Sequence, residues 1–220
     1  MIVSRDNERL KLVRKLHERR WRDKLGLFFV EGEDAVAAAT AEPVDLLRAG
    51  VDVEPRLLAE VSTAAHPPRV IGVYRTADLP VAERRELVLA LWRVADPGNV
   101  GTLIRTADAF CAAVSLSDGC ADPTGPKALR ASAGSIWRVP LVEGGAGRRV
   151  ALVAHGGTPL GSLDLSGPTT FLLGAERAGL PAEVGRDAEA WIPIAQAESL
   201  NVAAAGAIAL YEWARQNRPG

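Results

Sequence analysis

Three short segments, far apart in the chain, set polar side chains among residues that favour turns. They are Asp96-Pro97-Gly98-Asn99 with Arg105 beyond it, Gly174-Ala175-Glu176-Arg177-Ala178-Gly179, and Ile192-Pro193-Ile194 leading to Ser199-Leu200-Asn201. Pro-Gly is a strong turn signal, and Asn99 suits the N-cap of a helix, which places Arg105 nearly two turns along it. Glu176 lies between two glycines directly after the apolar run Phe171-Leu172-Leu173. That is the pattern of a strand whose carboxyl end opens on a crevice where the backbone approaches a ligand. Ser199 is the expected N-cap of the last helix, with Asn201 in its first turn, where free N–H groups hold polar or anionic groups. The chemistry in view is the binding and orienting of a polar ligand. No G-x-G-x-x-G turn and no phosphate-loop lysine is present, so dinucleotide and nucleoside-triphosphate binding of the usual kinds are not indicated. Taken singly, each segment reads equally well as ordinary turn formation and capping.

The elements that would position these residues alternate. A helix is predicted over 4–24, with Leu10, Val13, Leu16 and Trp21 as its apolar stripe and basic residues filling the rest. Strands follow at 27–31, 44–47 and 70–74, with short helices over 32–40 and 55–63, the second led by Pro55 in its first turn. The polar stretch 76–86 marks a boundary. A second block opens on Leu87-Val88-Leu89-Ala90-Leu91-Trp92, a continuous apolar run of the kind found in strands buried on both faces of a parallel sheet. Further strands are predicted at 113–116, 137–142, 150–153, 169–173 and 190–194, and helices at 99–110, 127–135 and 199–216. The default architecture is a doubly wound parallel sheet behind a small α/β module. One connection is odd: only the glycine-rich stretch 143–149 separates two predicted strands, although parallel neighbours need a crossover of about a dozen residues. Either those strands are not parallel neighbours or a helix has been trimmed.

Bulk properties narrow the function. The 220 residues are 48% hydrophobic and 24% charged, ordinary for a globular chain with a sizeable core. No apolar run approaches the roughly 20 residues of a membrane helix, and the polar, basic start has no signal-peptide core, so a cytoplasmic location is expected. Cys111 and Cys120 lack a metal-ligand spacing and His17, His66 and His155 are scattered; no metal site is expected, and the cysteines read as thiols in a reducing compartment. The net charge of −1 conceals segregation. Residues 1–24 carry nine Lys or Arg against four acids, a net of +5, and residues 25–63 carry eight acids against two arginines, a net of −6. A segregated basic patch is the footprint expected for phosphate contact, though a solvated helix face reads the same way.

Together the three segments resemble the three motifs of the SpoU (TrmH-like) branch of the SPOUT RNA methyltransferases: Asn99 to Arg105, Gly174 to Leu180, and Ile192-Pro193 followed by Ser199-Leu200-Asn201-Val202. A fourth stretch, Pro126 to Gly134, is similar to the segment that connects them in that family. The resemblance runs from about Leu87 to Gln216, and Phe28-Phe29-Val30-Glu31-Gly32-Glu33 is similar, more loosely, to the ribosomal-protein-like substrate-binding module often fused ahead of it. It implies an α/β fold: a parallel-sheet SPOUT domain with a C-terminal trefoil knot over 87–220, an RNA-binding module over 1–78 and a linker at 79–86. It implies S-adenosylmethionine (AdoMet) held by Gly174, Ile192, Leu200, Ala154 and Ile194. The catalytic group would be Asn99, Arg105, Glu176, Ser199 and Asn201, transferring methyl to a ribose 2′-hydroxyl. RNA contact falls to Arg14, Arg19, Arg20, Arg22, Lys127 and Arg130. A homodimer is implied, with ribosomal RNA preferred to transfer RNA as substrate. Cys111, where the family commonly has glycine, Ile194 for methionine and Gln196 for glycine are departures that remove no catalytic group. The alternative from another class is a non-catalytic RNA-binding protein on the same fold.

Overall fold

The computed structural model describes residues 1–64, 66–82, 85–175 and 178–218. The first helix, α1 (Glu8–Leu16), starts where the Asn7 side chain accepts from the Arg9 amide, and it buries Leu10, Val13 and Leu16. The helix expected over 4–24 is in fact two, because α2 (Arg19–Leu25) is a separate element ending on Gly26 in the left-handed conformation. The break has a physical cause. The Arg22 guanidinium folds back and donates to Leu16 O (2.7 Å) and His17 O (2.9 Å), and His17 Nε2 donates to Val61 O. The last carbonyls of α1 are therefore satisfied without a further helical turn.

β1 (Leu27–Glu31), α3 (Glu33–Ala37), β2 (Asp45–Arg48), α4 (Pro55–Val61) and β3 (Val70–Arg75) complete the small module. β3 lies between β1 and β2 and is antiparallel to both. One face of this sheet, with Phe29, Leu47, Ile71 and Val73, packs on α1 and α4. The other turns Phe28, Val30 and Tyr74 into the core of the second sheet.

That second sheet begins with β4 (Leu87–Leu91), α5 (Pro97–Ala109), β5 (Ala113–Leu116) and α6 (Pro126–Ser132). It continues through β6 (Arg148–Leu152), β7 (Thr158–Pro159), β8 (Thr169–Leu173), β9 (Ala188–Trp191) and α7 (Val202–Asn217). The order is β5-β4-β8-β6-β9-β7 and every pair is parallel, so the parallel α/β architecture stands. Along β8, Phe171 and Leu173 face the helical layer with Leu103 and Leu210, while Leu172 faces a thinner cluster with Val184.

The strand expected at 137–142 does not form. Ser135–Trp137 is a turn of 3-10 helix after a left-handed Gly134, and Leu141 makes an isolated bridge to Val114. Trp137 is committed to an aromatic cluster, edge-on to Tyr74 at 4.7 Å and 5.5 Å from Phe28, which an extended strand could not reach. The odd connection is thereby resolved. Residues 143–147 run from the β5 edge across the sheet to β6, which is not a neighbour of β5. They lie flat on β8, with Thr170 Oγ1 accepting from Ala146 N (2.8 Å) and donating to Ala146 O (2.7 Å). Glycine is required for so close an approach: a Cβ at Gly145 would stand 2.4 Å from Thr170 Oγ1, and one at Gly147 1.9 Å from Pro168 O.

Among the described residues, two ion pairs join the modules. Arg22, 5% exposed, donates to Asp122 Oδ2 from Nε (2.9 Å) and Nη2 (2.6 Å), and Asp122 Oδ1 accepts from Thr124. Arg130 pairs with Glu31, whose carboxylate is almost wholly buried and also accepts from Thr63.

Candidate active site

The site forms at the carboxyl ends of the parallel strands. Asp96 opens α5: its Oδ1 accepts from the Asn99 amide (3.0 Å), Pro97 occupies the first turn, and Oδ2 pairs with Lys127 Nζ (3.0 Å). The cap expected at Asn99 is therefore Asp96, a position the Asp-Pro-Gly order itself signals, since a capping carboxylate before a first-turn proline is the preferred start. The Lys127 hydrogen bond, helped by the Asn99 amide, holds the Asp96 carboxyl below the ordinary carboxylate range. Asn99, released from capping, turns its side chain into the site.

α7 begins in the same way one residue class away. Asn201, not Ser199, is its N-cap, with Oδ1 accepting from Ala203 N (2.9 Å) and Ala204 N (3.4 Å). This orients the amide so that Nδ2 donates to Asn99 Oδ1 at 3.1 Å. The first and third motifs are joined by that bond.

Beside it lies a cleft of about 620 Å³ between the loops that follow β6, β8 and β9. Ala154, Gly174, Ile192, Ile194 and Leu200, the five residues assigned to the cofactor by resemblance, all line it, as do Ser199 and Asn201. Leu152, Val153, Val202 and Ala205 complete its aliphatic walls; sequence reasoning missed them because side chains of this type announce only burial. Gly174 is a glycine for a reason internal to the fold. Ala175 and Gly179 form an antiparallel bridge, and a Cβ on Gly174 would come within 2.3 Å of the Gly179 backbone. Glu176 lies outside the described residues.

Arg105 is exposed on α5, roughly 9 Å beyond Asn99 along the helix axis at 1.5 Å per residue, and forms no ion pair among the described residues. The structure thus places Ser199 and Asn201 on the cleft wall and joins Asn99 to them through Asn201, while Arg105 is not among the residues that line it. The residues assigned to RNA divide. Lys127 stands beside the α5 N-terminus and is largely exposed. Arg19 and Arg20 are exposed and lightly paired, with Asp23 and Glu18, and Arg14 donates to Arg5 O. Arg22 and Arg130 instead hold the two modules together, because each faces a carboxylate across the junction, Asp122 largely enclosed and Glu31 almost wholly buried. Two other clefts, of about 440 and 700 Å³, border residues 144–147, and of the three motifs only Leu180, at the end of the second, reaches the smaller of them. Among the described residues no group of three or more His, Cys, Asp or Glu is placed to hold a metal ion, and no helix is long and apolar enough to cross a membrane.

A parallel sheet with a largely aliphatic cleft at its strand ends, flanked by two capped helix starts, defines an α/β protein built to bind a small molecule. Comparison with known proteins gives the particular family. The profile of the SpoU rRNA Methylase family matches residues 86–211, and that of the MRM3-like substrate binding domain matches 7–77. The chain is 33% identical to a 23S rRNA (guanosine(2553)-2′-O)-methyltransferase of Bacillus subtilis, over 96% of this chain and 97% of that one. The crystal structure of an AdoMet-bound rRNA methyltransferase from Sinorhizobium meliloti superimposes with a TM-score of 0.86 at 29% identity, covering 97% of each chain. The SpoU methyltransferase AviRb from Streptomyces viridochromogenes, in complex with AdoMet, gives 0.83 at 30% identity, covering 96% of this chain and 98% of that one. The chain belongs to the SpoU rRNA methylase family.

Proposed function

We propose that this protein is an AdoMet-dependent methyltransferase acting on a ribose 2′-hydroxyl of ribosomal RNA, with residues 1–78 as the RNA-binding module, 79–86 as linker and 87–220 as the catalytic domain. The observation that carries the reading is the Asn99–Asn201 hydrogen bond, which fuses the starts of α5 and α7 into one polar surface beside the cleft. The cleft suits the cofactor. Its volume falls within the roughly 300–1,000 Å³ of small-molecule sites, and its walls are mostly aliphatic side chains and main chain, with Ser199 and Asn201 as polar side chains, fit to enclose an adenine and its ribose. Gly174, Ile192, Leu200, Ala154 and Ile194 would hold it there. When bound, it supplies a methyl group on a sulfonium, open to an oxygen nucleophile held in line.

The protein's contribution is orientation, which by itself supplies much of an acceleration of this kind. Asn99 and Asn201 hold the ribose at the cleft mouth, and Ser199 offers a hydroxyl on the same wall. A guanidinium is a donor only, so Arg105 serves to grip the target phosphate and favour charge on the attacking oxygen; as the methyl leaves the sulfonium for that oxygen, the hydroxyl proton passes to solvent water rather than to Arg105. Glu176 completes the group by its place in the motif. The trefoil knot belongs to the same proposal: β8 enters between β4 and β6, both earlier in the chain, and β9 pairs beyond β6, an order in keeping with a threaded C-terminal segment. A homodimer is supported by α7, which leaves Ile208 and Tyr211 exposed three residues apart on one face. The 23S rRNA activity named for the Bacillus subtilis relative favours ribosomal over transfer RNA.

The test is transfer of labelled methyl from AdoMet to unmodified ribosomal and transfer RNA pools, with Arg105→Ala beside the wild type. Label recovered as a 2′-O-methyl nucleoside from ribosomal RNA, and absent with the variant, is the expected outcome. Label in transfer RNA alone would reassign the substrate, and neither label nor AdoMet binding would overturn the reading.

A further inference from the structure

The second helix divides its surface. Arg19 and Arg22 point toward the catalytic domain, where they reach Cys120 O and Asp122. At 100° per residue, Arg20, Trp21 and Lys24 fall on the opposite side. There the half-buried Trp21 ring draws three cations from two helices: Lys24 Nζ lies 5.1 Å, Lys15 Nζ 5.3 Å and Arg20 Cζ 5.7 Å from its centroid. The quadrupole of the ring offsets part of the repulsion among the like charges gathered on it. Arg20 is paired with Glu18, whereas Lys15 and Lys24 form no ion pair among the described residues. The result is a π-surface ringed by positive charge, in a segment whose net charge is +5 over residues 1–24.

We propose that Trp21, with Lys15, Arg20 and Lys24, is a binding platform for an unpaired nucleotide of the RNA substrate. The base stacks on the Trp21 ring, and the displaced ammonium and guanidinium groups swing onto the flanking phosphates. Every base has a π-face, so such a platform binds single strands with little regard to sequence. A duplex offers only its phosphates, and gains from the cations but not from the ring. The inference rests on the RNA-methyltransferase reading and specifies where, and in what form, that RNA is gripped.

The experiment measures binding of a fluorescently labelled 12-nucleotide mixed-sequence RNA, single-stranded and annealed to its complement, to the full chain over a range of KCl. Trp21→Ala should weaken single-strand binding about tenfold, the usual size of one lost base stack. It should leave the salt slope and duplex binding unchanged, with Trp21→Phe recovering most of the loss. Lys15→Ala/Lys24→Ala should instead flatten the slope of log K against log salt by about 1.4, two phosphates' worth on a single strand. Thermal melts establish that each variant is folded. Unchanged binding by Trp21→Ala, or an equal loss on duplex, overturns the platform, as does a variant that fails only on ribosomal particles and so points to a protein contact. Methyl transfer to ribosomal RNA measured in parallel separates the two ideas: retained transfer with a silent Trp21 sinks the platform alone, while loss of all transfer and all RNA binding in the wild type sinks the underlying function.

Discussion

Asn201 serves two structures with one amide: its oxygen caps α7 and its nitrogen reaches Asn99. The two roles separate by substitution. Asn201→Ala loses both, and should cost about 1 kcal/mol of stability, as N-cap deletions do, together with most methyl transfer. Asn201→Asp keeps the cap and should hold the melting temperature near wild type. It cannot donate, so Asn99 must reverse its amide to meet it, and methyl transfer should still fall at least tenfold. Thermal melts and single-turnover methylation read the two effects. Asp96 sets a pH dependence. Its folded carboxyl titrates below its unfolded value, chiefly through Lys127, so its contribution to stability is present above the unfolded value near 3.9 and is lost as pH falls through the folded one. Asp96→Asn should therefore lower the melting temperature at pH 7, by an amount that shrinks as the pH is taken down below the unfolded value. A constant offset across that range would contradict the assignment.

At the scale of elements, glycine placement decides how closely pieces pack. Gly101, inside α5, faces α6 so tightly that a Cβ would lie 2.3 Å from Ala128 O and 2.6 Å from Ala131 Cβ. Alanine gains roughly 0.5–1 kcal/mol of helix propensity there, but backbone atoms cannot yield as a side chain can, and overpacking of this kind costs about 1–3 kcal/mol. Gly101→Ala should be net destabilising in chemical denaturation. The reverse case is Cys111. It follows the Phe110 cap of α5 with φ +52° and its side chain is exposed. A left-handed non-glycine residue carries about 1–2 kcal/mol of strain, of which the greater freedom of an unfolded glycine returns part. Cys111→Gly should stabilise by about 0.5–1 kcal/mol, measurable as a raised denaturation midpoint.

Across the whole molecule, the two modules share one apolar core through Phe28, Val30, Tyr74, Leu79 and Trp137. The Arg22–Asp122 pair is enclosed at the same junction with every polar atom of the carboxylate engaged. Breaking such a pair from one side leaves a buried charge without its partner and typically costs about 3–5 kcal/mol. Asp122→Ala should cost that much, and should split the single unfolding transition expected of the wild type into two, seen as non-coincident melts by tryptophan fluorescence and far-UV circular dichroism.

The chain's own order of residues disclosed the parallel α/β class, the three motifs and the family they resemble. Such features are written locally: in turn residues, in apolar runs and in short spacings whose meaning depends on neighbours a few positions away. Helix caps were legible in principle, and Asp96 was available in the Asp-Pro-Gly order, yet Asn99 and Ser199 are equally good capping types, and only the folded backbone chose between candidates. The fate of the basic residues was not legible at all. Arg20 and Arg22 differ by two positions and share a chemistry, but one faces solvent and the other a carboxylate a hundred residues away. The stretch 143–149 fitted either strands that are not neighbours or a trimmed helix, and the strand order decides for the first, with the chain crossing the sheet on glycines. Contacts between distant segments arise from how whole elements pack, a sum over many weak apolar terms that no short window contains. The chain spelled out which chemistry was available, and the tertiary structure decided which charges reach the site and which hold the molecule together.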